Sequence, residues 1–143
     1  MHNNLEYMLN RQIANWSVLS IKLRQYHWYV QGPLFFTLHA KFEELYKEAS
    51  NHVDTLAERL LAIGGRPAAT MQEYVNKAVV GEGDYTETAE EMVKAVLDDF
   101  SAMLRDLNDA MRASADDEVT HDLLLEMKGS IEKHSWMLKA LLG

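Results

Sequence analysis

Helix breakers are scarce in this sequence and fall in three tight groups, and that placement confines most of the chain to long helices. Gly32-Pro33, Gly64-Gly65 followed by Pro67, and Gly81-Glu82-Gly83 hold both prolines and five of the seven glycines. Proline removes a backbone donor and glycine gives up the most conformational freedom in a helix, so each group ends one element and opens the next. From Leu5 to Val30 the residues Leu5, Met8, Leu9, Trp16, Leu19, Leu23, Tyr26 and Val30 recur at helical steps and draw one stripe. A second helix begins within a few residues of Pro33 and runs to Gly64-Gly65. Its stripe, Leu38, Phe42, Leu45, Ala49, Val53, Leu56, Leu60 and Ile63, is the most regular in the chain. Met71 to Val80 is a short apolar piece inside a long connection. A third helix runs from about Thr86 to Ala113 on Ala89, Met92, Val93, Val96, Phe100, Met103, Leu104, Leu107 and Met111. Asp116-Asp117 then offers caps for a fourth helix ending at Leu142.

At 143 residues, 48% hydrophobic and 25% charged, the chain is the size of one domain spanning 1–143. A short first link, a long second link and a short third link predict an all-α four-helix bundle with one crossover, the connectivity of ferritin-like folds. The long connection between helices 2 and 3 carries a short extra helix. A plain helical interaction module is the alternative. The chain has no cysteine, which excludes disulfides, thiolate metal sites and cysteine nucleophiles, so any metal takes nitrogen or oxygen ligands. Met1 to Glu6 has no basic stretch followed by an apolar run, and no later segment approaches the roughly 18 uncharged residues a membrane span needs. A cytoplasmic location is expected. A net charge of −8 argues against a large phosphate-binding surface and makes cations the natural partners.

The second helix carries two polar pairs at four-residue spacing, His39 with Glu43 and Asp54 with Glu58, and each pair lies on one helical face. At ~100° per residue the four span an arc of about 100°, and the apolar stripe begins roughly 40° beyond its nearer edge, so the polar set lies outside the bundle core. His39 and Asp54 are fifteen residues apart. At ~1.5 Å per residue that is about 22 Å, too far for both to hold one ion. If two copies of this helix cross antiparallel about a two-fold axis near Glu48 and Ala49, His39 and Glu43 of one subunit meet Asp54 and Glu58 of the other, and each dimer holds two equivalent sites. Ser50 and Ala57 add small residues to the same face. The short Gly32-Pro33 turn brings His27 beside His39. Two imidazoles with three carboxylates suit iron, zinc or manganese rather than calcium or copper(I), and spacing does not choose among them.

Each piece also has an ordinary reading. A carboxylate one turn from a lysine is usually a solvated face. His27 between Tyr26 and Trp28 is, alone, more often a satisfied core histidine, and His134 is read that way outright. His2, His52 and His121 have no evident partner set. Glu118-Val119-Thr120-His121 has the E-x-x-H spacing of di-iron bundles, but those need it on two helices and no second copy exists, so it reads as a helix start whose acids serve the dipole.

The run His27-Trp28-Tyr29-Val30-x-Gly32-Pro33-x-Phe35-Phe36-x-Leu38-His39-x-x-Phe42-Glu43-Glu44-Leu45-Tyr46 closely resembles the characteristic segment of Dps proteins, the mini-ferritins. Val53-Asp54-x-x-Ala57-Glu58-Arg59-x-x-x-Ile63-Gly64-Gly65-x-Pro67 continues it, and Ser130-Ile131-x-Lys133-His134-x-Trp136-Met137 is similar more loosely. The resemblance implies a hollow dodecamer that oxidises iron(II), preferentially with hydrogen peroxide, and stores iron(III) as a mineral, protecting the cell from oxidative damage. It implies a ferroxidase site between two-fold related subunits, with ligands His27, His39 and Glu43 from one and Asp54 and Glu58 from the other, and Trp28 beside them. Many relatives have Asp at the place of Glu43, and the extra methylene leaves open whether this carboxylate reaches metal directly or through water. Asp117, Glu118 and Asp122 align with the lining of three-fold pores where negative potential draws Fe²⁺ inward; solvated helix-start acids are the equal alternative. Glu44 and Glu48, on a third side of the second helix, align with carboxylates that nucleate mineral. Members that bind DNA directly often use a lysine-rich tail, whereas here the first helix is expected to start almost at Met1. With a charge of −8, little direct DNA binding is expected at ordinary salt. A DNA-compacting structural protein with little iron chemistry is the alternative function.

Overall fold

In the computed structural model, which describes residues 3–143, the helices part at the three breaker groups. α1 spans Asn3–Tyr29, α2 Phe35–Ala62, α3 Met71–Lys77, α4 Ala89–Ala113 and α5 Glu118–Leu142, and no strand occurs among the described residues. His2 lies outside them. Gly32 at φ +105° and Gly64 at φ +90° occupy the left-handed region that strains an L side chain, and they follow the ends of α1 and α2. α4 opens on a capping box in which Thr88 accepts the Glu91 amide and Glu91 accepts the Thr88 amide. It starts at Ala89 rather than the expected Thr86 because the amide and hydroxyl of Thr86 both bond Asp84 in the preceding turn.

α1 packs against α2, α3 and α4, and α4 packs against α5. The expected stripes supply the core, with Leu9, Leu19, Leu23, Leu38, Phe42, Leu60, Phe100 and Leu107 fully enclosed. Val53, Ile63, Leu104 and Met111 sit at its rim. α1 departs from the stripe reading, since every residue from Gln12 to Leu19 is buried. The cause is the long connection, which runs along the side of α1 left open by the other helices. Asn10 donates to the Arg66 carbonyl at 3.0 Å and accepts the Ala68 amide at 2.7 Å. Asn15, fully buried, accepts the Val79 amide at 2.8 Å and donates to Asp106 on α4 at 3.0 Å. Two asparagines thus tie backbone groups of the crossover to α1. Arg11 adds a two-point ion pair to Asp106, at 3.0 and 2.9 Å.

α2 and α5 are joined by polar clasps. Near one end Arg59 donates to Thr120 and Asp117, both at 2.9 Å. Further along, Glu48 accepts from His134 Nε2 at 2.9 Å, His52 Nε2 at 3.0 Å and the Ser130 hydroxyl at 2.6 Å. Partial burial alone raises the pKa of Glu48, but these hydrogen bonds outweigh it and hold the carboxyl well below the ordinary range. Among the described residues no helix is long and apolar enough to cross a membrane.

Two stability measurements follow from these clasps. Asn15→Ala leaves the Val79 amide without its partner and removes one of the two donors to Asp106 Oδ2, which keeps Arg11, a loss of roughly 1–3 kcal/mol; a lower denaturant midpoint, with faster proteolysis in the 66–80 connection, is expected. For Glu48 the folded state favours the ionised form, so its contribution is present in full above the ordinary carboxylate pKa and drains away as pH falls below it. Glu48→Gln is therefore expected to lower the melting temperature at pH 7, and the difference to start narrowing below about pH 4, the ordinary glutamate pKa, and to close only at the much lower pH where folded Glu48 itself takes a proton. A gap that persists unchanged at pH 3 contradicts this account.

Candidate metal centre

The sharp turn after α1 sets His27, in its last turn, against His39, in the first turns of α2. The two rings stack at 3.8 Å with 14° between their planes. Each Nδ1 lies 2.7 Å from the other residue's backbone carbonyl oxygen. A carbonyl oxygen only accepts, so each Nδ1 carries the hydrogen, and in the neutral ring each Nε2 is left as a lone pair. Phe35 stacks on His39 at 4.9 Å and Tyr46 meets His27 edge-on at 5.5 Å, with the Arg24 guanidinium over the Tyr46 ring at 4.7 Å. The imidazoles are consequently fixed in both tautomer and orientation before any ligand arrives.

Glu43, one turn after His39, places Oε1 3.7 Å from His27 Nε2, while its Oε2 accepts from Lys47 at 2.8 Å. The hydrogen bond and charge of Lys47 hold its pKa below the usual value, so it is a carboxylate at neutral pH. Asp54 and Glu58 lie exposed on the same side of α2, further along. Among the described residues, no three His, Asp or Glu side chains of one chain stand close enough to hold a metal ion together. Phe36 and Leu61, at opposite ends of this side at ~100° per residue, are 85% and 60% exposed.

The remaining candidates are placed as follows. Trp28 is exposed and lines a groove of about 560 Å³ with Ile21, Val75 and Tyr85, on the part of α1 turned toward the crossover. Asp117 is the N-cap of α5 and the partner of Arg59; partial burial raises its pKa, but bonds from Thr120 and Arg59 outweigh that and lower it. Its carboxylate therefore has a structural role, whereas Glu118 and Asp122 are exposed. His121 donates from Nδ1 to the Met111 carbonyl at 3.0 Å. Glu44 is exposed and paired with Lys41 at 2.7 Å. Glu48 is not the free carboxylate that a nucleation role suggests, since His134, His52 and Ser130 occupy its oxygens. His52, without an evident partner in the sequence, has Glu48 one turn away and lies against Trp16 at 4.5 Å. Sequence reasoning also missed Lys47, although its four-residue spacing from Glu43 is visible there.

The chain is similar to known proteins over almost its whole length. The ferritin-like domain family matches residues 7–143. DNA protection during starvation protein 2 of Bacillus anthracis is 52% identical over 145 aligned positions, covering 100% of this chain and 99% of that one. The crystal structure of Dps from Staphylococcus aureus superposes with a TM-score of 0.97 at 43% identity, over 99% of this chain and 97% of that one. The structure of a Dps protein from Vibrio cholerae O1, described as a member of a broad superfamily of ferritin-like diiron-carboxylate proteins, gives a TM-score of 0.93 at 35% identity, over 97% and 89%. The chain belongs to the Dps family of ferritin-like proteins.

Proposed function

We propose that this protein is a ferroxidase and iron store, oxidising Fe²⁺ at a site shared by two subunits and depositing Fe³⁺ inside a hollow shell of twelve copies. The observation that carries the reading is the histidine pair. His27 and His39 aim two fixed lone pairs past an ionised Glu43, on a helix face whose other two acids, Asp54 and Glu58, lie beyond reach within one chain. An antiparallel copy of α2 about an axis near Glu48 and Ala49 supplies those acids. The exposed Phe36 and Leu61 on the same side are apolar area that such a partner would cover. The description of the Vibrio cholerae relative as a diiron-carboxylate protein supports iron as the metal.

In this reading iron is substrate and cargo. Imidazole nitrogen and carboxylate oxygen together suit Fe²⁺, and the carboxylates offset the added charge when it becomes Fe³⁺. Two Fe²⁺ ions held close together give up one electron each, and one hydrogen peroxide takes both, with two protons, to leave as two waters. No one-electron reduction product escapes, which is how the protein protects a cell. Several relatives carry names that speak of DNA protection; at −8 per chain, we attribute such protection here to iron removal rather than to phosphate contacts. Glu118 and Asp122 are the acids available to draw Fe²⁺ toward a pore, and Glu44 is the freer of the two proposed nucleation carboxylates.

Stopped-flow oxidation of anaerobic Fe²⁺ on adding peroxide tests the assignment. Combined His27→Ala, His39→Ala and Asp54→Ala substitution is expected to slow the fast phase on the order of a hundredfold, since changes merely adjacent to metal ligands already cost 10–100-fold. Unchanged rates defeat the reading. Light scattering is expected to give a native mass near twelve chains, and retardation of supercoiled DNA at about 150 mM salt is expected to be absent, because a chain of this charge has little to displace counterions with.

A further inference from the structure

We propose that Lys47 is the resident counter-cation of the metal-free seam, which an incoming divalent ion must displace from Glu43. This role rests on the intersubunit site proposed above and deepens it. In the structure Glu43 bridges two positions: Oε1 faces His27 Nε2 at 3.7 Å, and Oε2 takes the Lys47 ammonium at 2.8 Å. The oxygen a metal ion needs beside the imidazoles thus belongs to a carboxylate already engaged with a cation. The pairing acts on both partners, lowering the pKa of Glu43 and raising that of Lys47. Glu43 precedes Lys47 by one turn, the orientation that favours the pair along a helix.

Position on the helix extends the role across the seam. At ~100° per residue Lys47 lies on the same side of α2 as Glu43 and Asp54. In the antiparallel pairing that sets Glu43 opposite Asp54 of the partner subunit, Lys47 falls opposite Ser50 of the partner subunit, one turn from that aspartate. Three carboxylates brought together without metal repel one another, and each is costly to desolvate unpaired. Lys47 is the cation the structure pairs with one of them, Glu43. Metal and ammonium then compete for the same carboxylate: the ammonium steadies the empty seam, and it weakens metal binding by the free energy needed to move it aside or to share the charge of Glu43. The two effects have opposite signs on removal of Lys47, which a merely structural lysine does not produce.

The test uses the assembled, metal-free protein titrated with Co²⁺, a redox-inert probe whose visible absorption reports nitrogen and oxygen ligation. Lys47→Ala is expected to tighten Co²⁺ binding roughly three- to tenfold, a surface pair alone accounting for about twofold and shielding in the seam for the rest. The same variant is expected to dissociate at several-fold higher protein concentration when metal-free at low salt, and Lys47→Arg to restore both properties. In a Glu43→Gln background the gain in affinity from Lys47→Ala shrinks. His27→Ala with His39→Ala separates the two proposals. If that variant loses Co²⁺ binding while Lys47→Ala leaves affinity unchanged or weaker, the site stands and the role of Lys47 is overturned. If it binds Co²⁺ as tightly as the unmodified protein, the site itself is wrong and the role of Lys47 falls with it.

Discussion

Two imidazoles hold each other by the backbone, and the rest of the site takes its geometry from that exchange. His27 closes α1 and His39 opens α2, so the paired Nδ1 bonds at 2.7 Å also fix how the two helices meet across the turn. The turn itself requires the left-handed conformation of Gly32. A neutral histidine chooses its tautomer by what its first nitrogen can bond, and a carbonyl leaves no choice. The consequence is a nitrogen pair with lone pairs free, reached without any carboxylate orienting the rings, so every nearby acid remains available to a cation.

The same residue types produce the opposite arrangement on another side of α2. Lys41 Nζ lies 3.0 Å from His134 Nδ1 and can only donate, which forces the hydrogen of the neutral ring onto Nε2, and Nε2 gives it to Glu48 at 2.9 Å. His52 reaches the other oxygen of that carboxylate. In this clasp the Nε2 nitrogens that face the acid are hydrogen donors and the acid is saturated, so it joins α2 to α5 rather than inviting metal. Composition alone does not separate the two clusters, since each combines two histidines with a glutamate. The partner of the second ring nitrogen does.

That distinction marks what the sequence could reveal. The helices, their order and the crossover follow from breaker placement and period, because these are local properties of the chain. The grouping of His39, Glu43, Asp54 and Glu58 on one side of α2 follows from the same period. Other features depended on three-dimensional neighbours. The burial of α1 from Gln12 to Leu19 arises because a distant connection lies over it, with Asn10 and Asn15 facing its backbone. Asp117 looks like an exposed acid in a patch until Arg59, far away in sequence, is placed against it. Glu48 looks free on a helical wheel because the wheel shows one helix, and its three partners include two on α5.

On the proposed reading, division of the site between two chains makes metal binding and assembly a single equilibrium. Whatever binds the joined state and not the separated one stabilises the joined state by mass action. A seam filled by cations is held more tightly than an empty one, and an empty one must still persist long enough to be filled. A chain at −8 gathers negative charge as copies accumulate, which draws cations inward but also opposes the assembly that creates the site. Positive charge placed within the seam, rather than spread over the outer surface, relieves the second effect without cancelling the first. Its cost is a weaker first ion. For a protein whose cargo must move on into a store, a moderate hold at the oxidation site is the more useful property, since an ion bound too tightly there would stop the next from entering.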